Sequence, residues 1–305
     1  MTTTLKQEIA FVGTGLHSGR PVRMMLRPAA AGGVRFRRTD VTDRDNVIPA
    51  RYDLVSDTRL NTRLSNAAGV SVSTVEHLMA ALAGTGVWNV VIDIDGPEVP
   101  IMDGSAARFV QKIVGAGLRH LPGPNRAIRV LETVKVFQDG AWAEIVPAPS
   151  LAIAFEIDFA DAAIGRQALA LPMVNGTFVR ELSDSRTFCR RSDVEAMQAA
   201  GLALGGSLDN AVVVEGAEIL NPEGLRRGDE FVRHKMLDAL GDLALAGAPI
   251  LGAYRGVRAG HGVTNALLRR LFATPGAWAE TALDAETARL LPGAGVVAAD
   301  LRRAG

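Results

Sequence analysis

Apolar and polar positions alternate with period two at residues 7–12 and 21–26, which predicts two strands flanking a glycine-rich turn. The same alternation returns at 128–137 and 141–146, where Asp139-Gly140 supplies the residues a tight hairpin turn requires. The period lengthens to that of a helix near 73–84, 106–117, 229–246 and 265–271, and short apolar runs at 87–94 and 250–255 read as strands. Both halves thus open with antiparallel pairs and continue with helices around a further strand, so α+β halves of similar content, related by a distant duplication, are expected. The boundary falls at Leu121-Pro122-Gly123-Pro124-Asn125, where two prolines stop the preceding helical pattern. Residues 1–121 and 122–305 are the expected domains. Within the second, a helical stretch at 193–200, a glycine-rich run and a strand at 211–214 read, on periodicity alone, as a plain crossover.

A chain of 305 residues has room for about two such domains. Its 33 basic and 33 acidic side chains cancel, so the basic excess of a nucleic-acid binder is missing. The single cysteine, Cys189, excludes an intrachain disulfide and any site built on several thiolates, which suits a reducing cytoplasm. The first thirteen residues lack the basic flank, apolar run and cleavage site of a signal peptide. The most apolar long stretch, 236–253, is interrupted by Asp238, Asp242 and Pro249, so no membrane span is expected. The composition predicts a soluble cytoplasmic protein with no nucleic-acid partner, no transmembrane segment and no evident obligate protein partner.

Three segments carry candidate chemistry. In Ser73-Thr74-Val75-Glu76-His77-Leu78, Ser73 and Glu76 have capping-box spacing, which gives Glu76 a purely structural alternative. In the predicted helix around 229–246, His234, Asp238 and Asp242 recur every fourth residue and form a polar stripe beside Leu237, Leu240 and Leu243. Imidazole and carboxylate one turn apart can point at one divalent cation, or they can form an intrahelical hydrogen-bond ladder. The third segment, Arg258-Ala259-Gly260-His261-Gly262, places a histidine between glycines in a predicted loop, either as an acid or base or as a turn residue without a task. Together they supply what metal-assisted hydrolysis needs: three protein ligands, an open position for water, a base and an acid. Gly13-x-Gly15-x-x-x-Gly19 lacks dinucleotide-loop spacing and reads as a turn, Asp103-Gly104-Ser105 as a turn and helix cap, and Cys189 as buried filler.

The chain resembles the bacterial zinc-dependent UDP-3-O-acyl-N-acetylglucosamine deacetylases of lipid A synthesis. The shared motifs are Thr14-Gly15-Leu16-His17-Ser18-Gly19, Ser73 to Leu78, Pro97 to Ala106, Ser185-Arg186-Thr187-Phe188, Leu204-Gly205-Gly206-Ser207, Phe231 to Asp242 and Gly260-His261. The resemblance implies one Zn²⁺ per chain on His77, His234 and Asp238, with Glu76 as base and His261 as electrostatic partner or acid. It implies that Asp242 orients His261, that Thr187 stabilises the oxyanion and that Lys235 assists near the substrate. Substrate contacts are implied at Phe159, Phe188, Arg258 and Gly206, and a βαβ insertion near 189–215 is implied to form an apolar passage for the acyl chain, which Leu202 and Leu204 are expected to face. Arg258 stands where many relatives have Lys, Asn61 where Cys is frequent, and Arg190 in a region more often apolar. The expected architecture is a two-domain α+β sandwich, each half a sheet packed on helices, with the active site between them. The expected partner is a UDP-linked acylated glucosamine. Two other classes compete: a zinc amidohydrolase acting on another N-acyl substrate, and a non-catalytic sugar-nucleotide-binding protein.

Overall fold

A computed structural model describes residues 3–123 and 125–303, so Met1, Thr2 and Pro124, used above for the leader and the boundary, lie outside the described residues. Strands β1 (Ile9–Thr14), β2 (Pro21–Pro28), β3 (Val34–Arg38), β4 (Val47–Pro49) and β5 (Val90–Ile94) form a sheet in the order β1-β2-β5-β3-β4. Neighbours in it are antiparallel except β3 and β5, which are parallel. Strands β6 (Val134–Gln138), β7 (Ala141–Pro147), β8 (Ala152–Asp158), β9 (Arg166–Pro172) and β10 (Ile250–Val257) repeat that plan as β6-β7-β10-β8-β9, with β8 and β10 the parallel pair. The second sheet is widened at Ile250–Leu251 by Arg126–Val130, itself paired with Trp278–Ala282. Alternation explains each strand: Ile9 and Phe11 in β1 and Val22, Met24 and Leu26 in β2 face the core, while Ala10 and Val12 face solvent.

Helices α1 (Glu76–Thr85) and α2 (Ala107–Ala116) flank β5 in sequence, and α3 (Glu230–Ala244) and α4 (His261–Ala273) flank β10 in the same way. Every residue of α1 is buried, as its apolar, alanine-rich sequence demands of a helix enclosed on all sides. One continuous apolar cluster runs from Phe11, Phe36 and Ile92 through Leu78 and Leu82 on α1 and Leu237 and Leu240 on α3 to Ile145, Ile153 and Phe155. The result is an α+β sandwich with α1 packed against α3 at its centre. Among the described residues, no helix is long and apolar enough to cross a membrane.

Several sequence expectations are corrected. Residues 128–137 are not one strand: the N–H groups of Leu131 and Glu132 both reach the Ala277 carbonyl, and the bend sends Arg126–Val130 to one set of partners and β6 to another. The hairpin is β6–β7, with Asp139 and Gly140 both at positive φ (50° and 78°), as its two-residue turn requires. The capping box does not form. Ser73 Oγ donates to the Pro97 carbonyl, α1 begins at Glu76, and the Glu76 side chain turns inward. His261 is not in a loop but opens α4, four residues before the expected start. Between Phe188–Arg190 and Val212–Glu215, which pair in parallel, the chain crosses over through the helix Arg191–Ala199.

At the closest approach of α1 and α3, a Cβ on Gly241 would lie 2.0 Å from the Glu76 carbonyl oxygen, so only glycine allows the two backbones to touch there. Gly241→Ala should therefore force the helices apart and destabilise the protein by about 1–3 kcal/mol, with loss of metal retention alongside, checked by denaturant melts and metal analysis. Unchanged stability and retention would show that the contact is not needed.

Candidate metal centre and active-site cleft

The contact at Gly241 places the first residues of α1, Glu76 and His77, against the second and later turns of α3, which carry His234, Lys235, Asp238 and Asp242. Ligand atoms of His77, His234 and Asp238 all lie within 4.8 Å of one another, and all three residues are buried. Asp238 Oδ1 is 3.6 Å from His77 Nε2 and 3.3 Å from His234 Nε2, and the two imidazoles stand edge to face at 5.0 Å. Nδ1 of His234 lies 3.0 Å from the Ser185 carbonyl, which can only accept, so Nδ1 carries the proton and Nε2 keeps its lone pair. Burial, with neighbouring His77 and Lys235, lowers the His234 pKa to about 4 against the pull of Asp238, which keeps the ring neutral near pH 7. Asp238 is also buried, yet His234 and Lys235 hold it well below the usual carboxylate range. Its Oδ2 accepts from Lys235 Nζ at 2.7 Å, whereas Oδ1 has no hydrogen-bond partner among the described residues. An ionised, buried, unpartnered oxygen facing imidazole nitrogens is a costly arrangement unless a cation completes it, so the donor set fits a divalent metal ion.

Around this group stand the remaining polar residues. Glu76 is 3% exposed, and burial raises its pKa above the usual carboxylate value, partly offset by His261 and His77. Its Oε2 accepts from the Thr62 N–H at 3.0 Å. His261 Nδ1 meets Asp242 Oδ2 at 2.8 Å, and Thr62 Oγ1 donates to Asp242 Oδ1 at 2.5 Å. Burial disfavours the His261 imidazolium, but the Asp242 charge and hydrogen bond outweigh it and push its pKa up to about 9. Lys235 is likewise opposed by burial and held charged by Asp238.

Glu76, His77, Thr187, His234, Lys235, Asp238 and His261 line one cavity of about 1,210 Å³, together with Phe159, Phe188, Arg258 and Gly206. Asp242 does not line it; it lies buried behind His261. Phe188 packs edge to face on Phe159 (5.6 Å), Phe231 (4.9 Å) and His234 (6.1 Å), forming an aromatic wall that leads to the ligand group. Thr187 is tied across the cleft by its N–H to the Gly104 carbonyl. Arg258, at φ 53°, donates to the Gly140 carbonyl at the rim. Beyond the aromatics, the cavity continues between Cys189, Val194, Met197, Ala203 and Val213. Leu202 and Leu204 are not among the lining residues: Ala203 takes a left-handed turn (φ 53°) and faces inward, leaving both leucines exposed. Arg190 folds back onto Asp193 at 2.7 Å.

Sequence reasoning missed several supports. The His17 and Ser18 N–H groups donate to Glu98 at 2.8 Å each, so the glycine-rich turn is filled by the chain's own carboxylate; His17 borders the cavity, and its buried ring nitrogens have no hydrogen-bond partner among the described residues. Arg186, itself buried, bonds Glu230 through its N–H and guanidinium, fastening the Ser185–Thr187 segment to the start of α3. Thr62 sits in no motif at all. A histidine inside a glycine-rich turn could have flagged His17; Thr62 is revealed only by its tertiary contacts.

A buried His-His-Asp group flanked by a glutamate and an aspartate-held histidine is the equipment of a metal-assisted hydrolase. The chain belongs to the LpxC family, UDP-3-O-acyl N-acetylglycosamine deacetylase, whose model matches residues 2–273. It is 53% identical over 276 residues to the UDP-3-O-acyl-N-acetylglucosamine deacetylase of Phenylobacterium zucineum (strain HLK1), covering 90% of this chain and 94% of that one. Similar proteins of the same name from Vibrio parahaemolyticus (48% identity; 93% of each chain) and Anaeromyxobacter sp. (47%; 90% of this chain and 89% of that one) also align.

The His261–Asp242 pair has a defined pH signature. Because the folded pKa is raised from 6.5 to about 9, the pair's contribution to stability is complete below pH 6.5 and is lost as pH rises through about 9. Ring-carbon NMR of the metal-free protein should show His261 titrating near 9, and Asp242→Asn should lower that value, since burial is then opposed only by the Asp238 and Glu76 charges. A wild-type value at or below 6.5 would overturn the pairing.

Proposed function

We propose that this chain hydrolyses the acetamide of a UDP-3-O-acyl-N-acetylglucosamine in lipid A synthesis, yielding acetate and the free amine. The observation that carries this reading is the meeting of the His77–His234–Asp238 group with Glu76 and His261 in one cleft of a family member. In this reading one Zn²⁺ per chain binds His77, His234 and Asp238, and when bound it supplies Lewis acidity to the amide carbonyl and acidifies a water. Glu76, with Oε2 held by Thr62, keeps Oε1 for the proton of the attacking water, and its raised pKa suits it to hold that proton. His261, with Nδ1 committed to Asp242, presents Nε2–H to the cleft, where an imidazolium offsets negative charge on the tetrahedral carbon's oxygen. The departing amine takes its proton from Glu76 or His261. Thr187 adds a hydroxyl donor for the oxyanion, and Lys235 balances Asp238 while facing the substrate.

The same reading assigns Phe159 and Phe188 to stacking, Arg258 to the diphosphate and Gly206 to close approach of the substrate. It divides the chain into domains 1–121 and 122–305, with the crossover near 189–215 as an insertion that receives the acyl chain. In the same reading the protein works in the cytoplasm, which a free cysteine and a nucleotide-linked substrate support.

The test is acetate release from a defined UDP-3-O-acyl-N-acetylglucosamine together with metal analysis. His77→Ala, His234→Ala and Asp238→Ala should each lose the metal. Glu76→Gln should keep it and lose about 10²–10⁴-fold in turnover, because an amide cannot accept the proton. Metal-loaded protein without acetate release from this substrate would favour an amidohydrolase of another specificity. A bound cation opposes the imidazolium, so the alkaline limb of activity should lie below about 9 and vanish in His261→Ala.

The acyl passage makes a separate prediction. Each CH₂ buried between Val194, Met197 and Val213 contributes about 0.8 kcal/mol, so kcat/KM should fall steeply as the chain is shortened. Met197→Asp, on a half-exposed helix face, should penalise long-chain substrates more than short ones. A flat chain-length profile in the wild type would remove the passage.

A further inference from the structure

We infer that Thr62 is a positioning residue for proton transfer in this site, fastening Glu76 and Asp242 to one point of the chain; the inference rests on the deacetylase reading above. Thr62 is 1% exposed and enters between α1 and α3 from the segment that precedes Arg63–Ser65. Its N–H donates to Glu76 Oε2 at 3.0 Å, its hydroxyl donates to Asp242 Oδ1 at 2.5 Å, and its carbonyl accepts from Val75, the residue before α1, at 3.4 Å. One residue thus touches the carboxylate that handles the water proton, the carboxylate that aims His261, and the start of the helix that carries Glu76 and His77.

The geometry decides what each contact does. A carboxylate held at one oxygen can still turn about its terminal torsion, and a second bond fixes its plane. Asp242 has two such bonds, Thr62 on Oδ1 and His261 on Oδ2, so the plane of the carboxylate and the direction of the imidazole are set together. Glu76 has its Oε2 occupied by the Thr62 N–H, which leaves Oε1 as the oxygen presented to the cleft. The β-branched side chain has few χ1 choices, so the hydroxyl is aimed before Asp242 arrives. Substituting valine retains shape, burial and backbone N–H and removes only the hydroxyl donor.

The experiment uses the full metal-loaded chain and two readouts. Thr62→Val should lower kcat by about 10- to 100-fold, the scale of a hydrogen bond to a charged group, with KM changed less than about twofold and metal content intact. Thr62→Ser should recover most of that loss. In an Asp242→Ala background, Thr62→Val should cost little more, because the hydroxyl's partner is already gone. The second readout needs no substrate: the His261 Nδ1–H resonance should exchange with solvent about tenfold or more faster in Thr62→Val than in the wild type. Wild-type kcat in Thr62→Val, or an equal loss in both backgrounds, would overturn the inference. If the wild type does not act on the UDP-acyl-glucosamine, the deacetylase reading falls while the exchange rates still decide Thr62: faster exchange supports the positioning role and unchanged exchange removes it.

Discussion

The contact between α1 and α3 at Gly241 is the constraint from which the rest of the site follows. Two helices whose backbones meet at van der Waals distance have little freedom to slide, because their side chains interlock as tightly as any other part of a protein interior. Once Glu76 lies against Gly241, His77 meets Asp238. The sheets, which share the order of five strands though the second is wider, supply the platforms that press the helices together. Burial is therefore a cause of the chemistry as well as a consequence of packing. It neutralises His234, raises Glu76, and makes the buried Asp238 oxygen, Oδ1, a costly group that a cation would offset.

Electrostatic bookkeeping around that oxygen explains why each charged residue has the neighbour it has. Asp238 shares its burden with Lys235 on one oxygen and offers the other to the ligand group. Asp242 sends its charge to His261 and Thr62. Glu76, the third carboxylate, takes a backbone N–H and, among the described residues, has no side-chain cation hydrogen-bonded to it. A weakly compensated carboxylate is the one whose proton affinity rises, and a rise in proton affinity is what a general base requires.

Much of this was legible in the sequence because it is written in short-range patterns. His234, Asp238 and Asp242 share a face since helical periodicity dictates it, and the hairpin follows from Asp139-Gly140. Other features depend on tertiary partners. Ser73 and Glu76 have capping-box spacing, yet a left-handed Thr74 (φ 57°) and the bond from Ser73 to Pro97 divert Ser73, and the Thr62 N–H draws Glu76 inward. His261 looked like a loop residue because glycines flank it, but Asp242, nineteen positions earlier, pins it at the head of α4. Leu202 and Leu204 were expected to face the passage that the family resemblance implies, and the positive φ of Ala203 turns both leucines outward instead. Thr62 has no local pattern to betray it, since its role exists only where two segments 180 positions apart converge.

One strand plan recurs in the two sheets. Helix α1 precedes the central strand of the first sheet and α3 the central strand of the second, so the two helices occupy the same place in two copies of one plan. Each copy delivers only part of the centre: α1 brings Glu76 and His77, while α3 brings His234, Asp238 and Asp242. Neither half contains three ligands, a base and the aspartate–histidine pair. The ligand group can therefore exist only when the halves are packed, and the buried Asp238 oxygen would be free to hydrate if they separated. A cation held by both helices gains its ligands only from the packed state, so by linkage it stabilises the association of the halves.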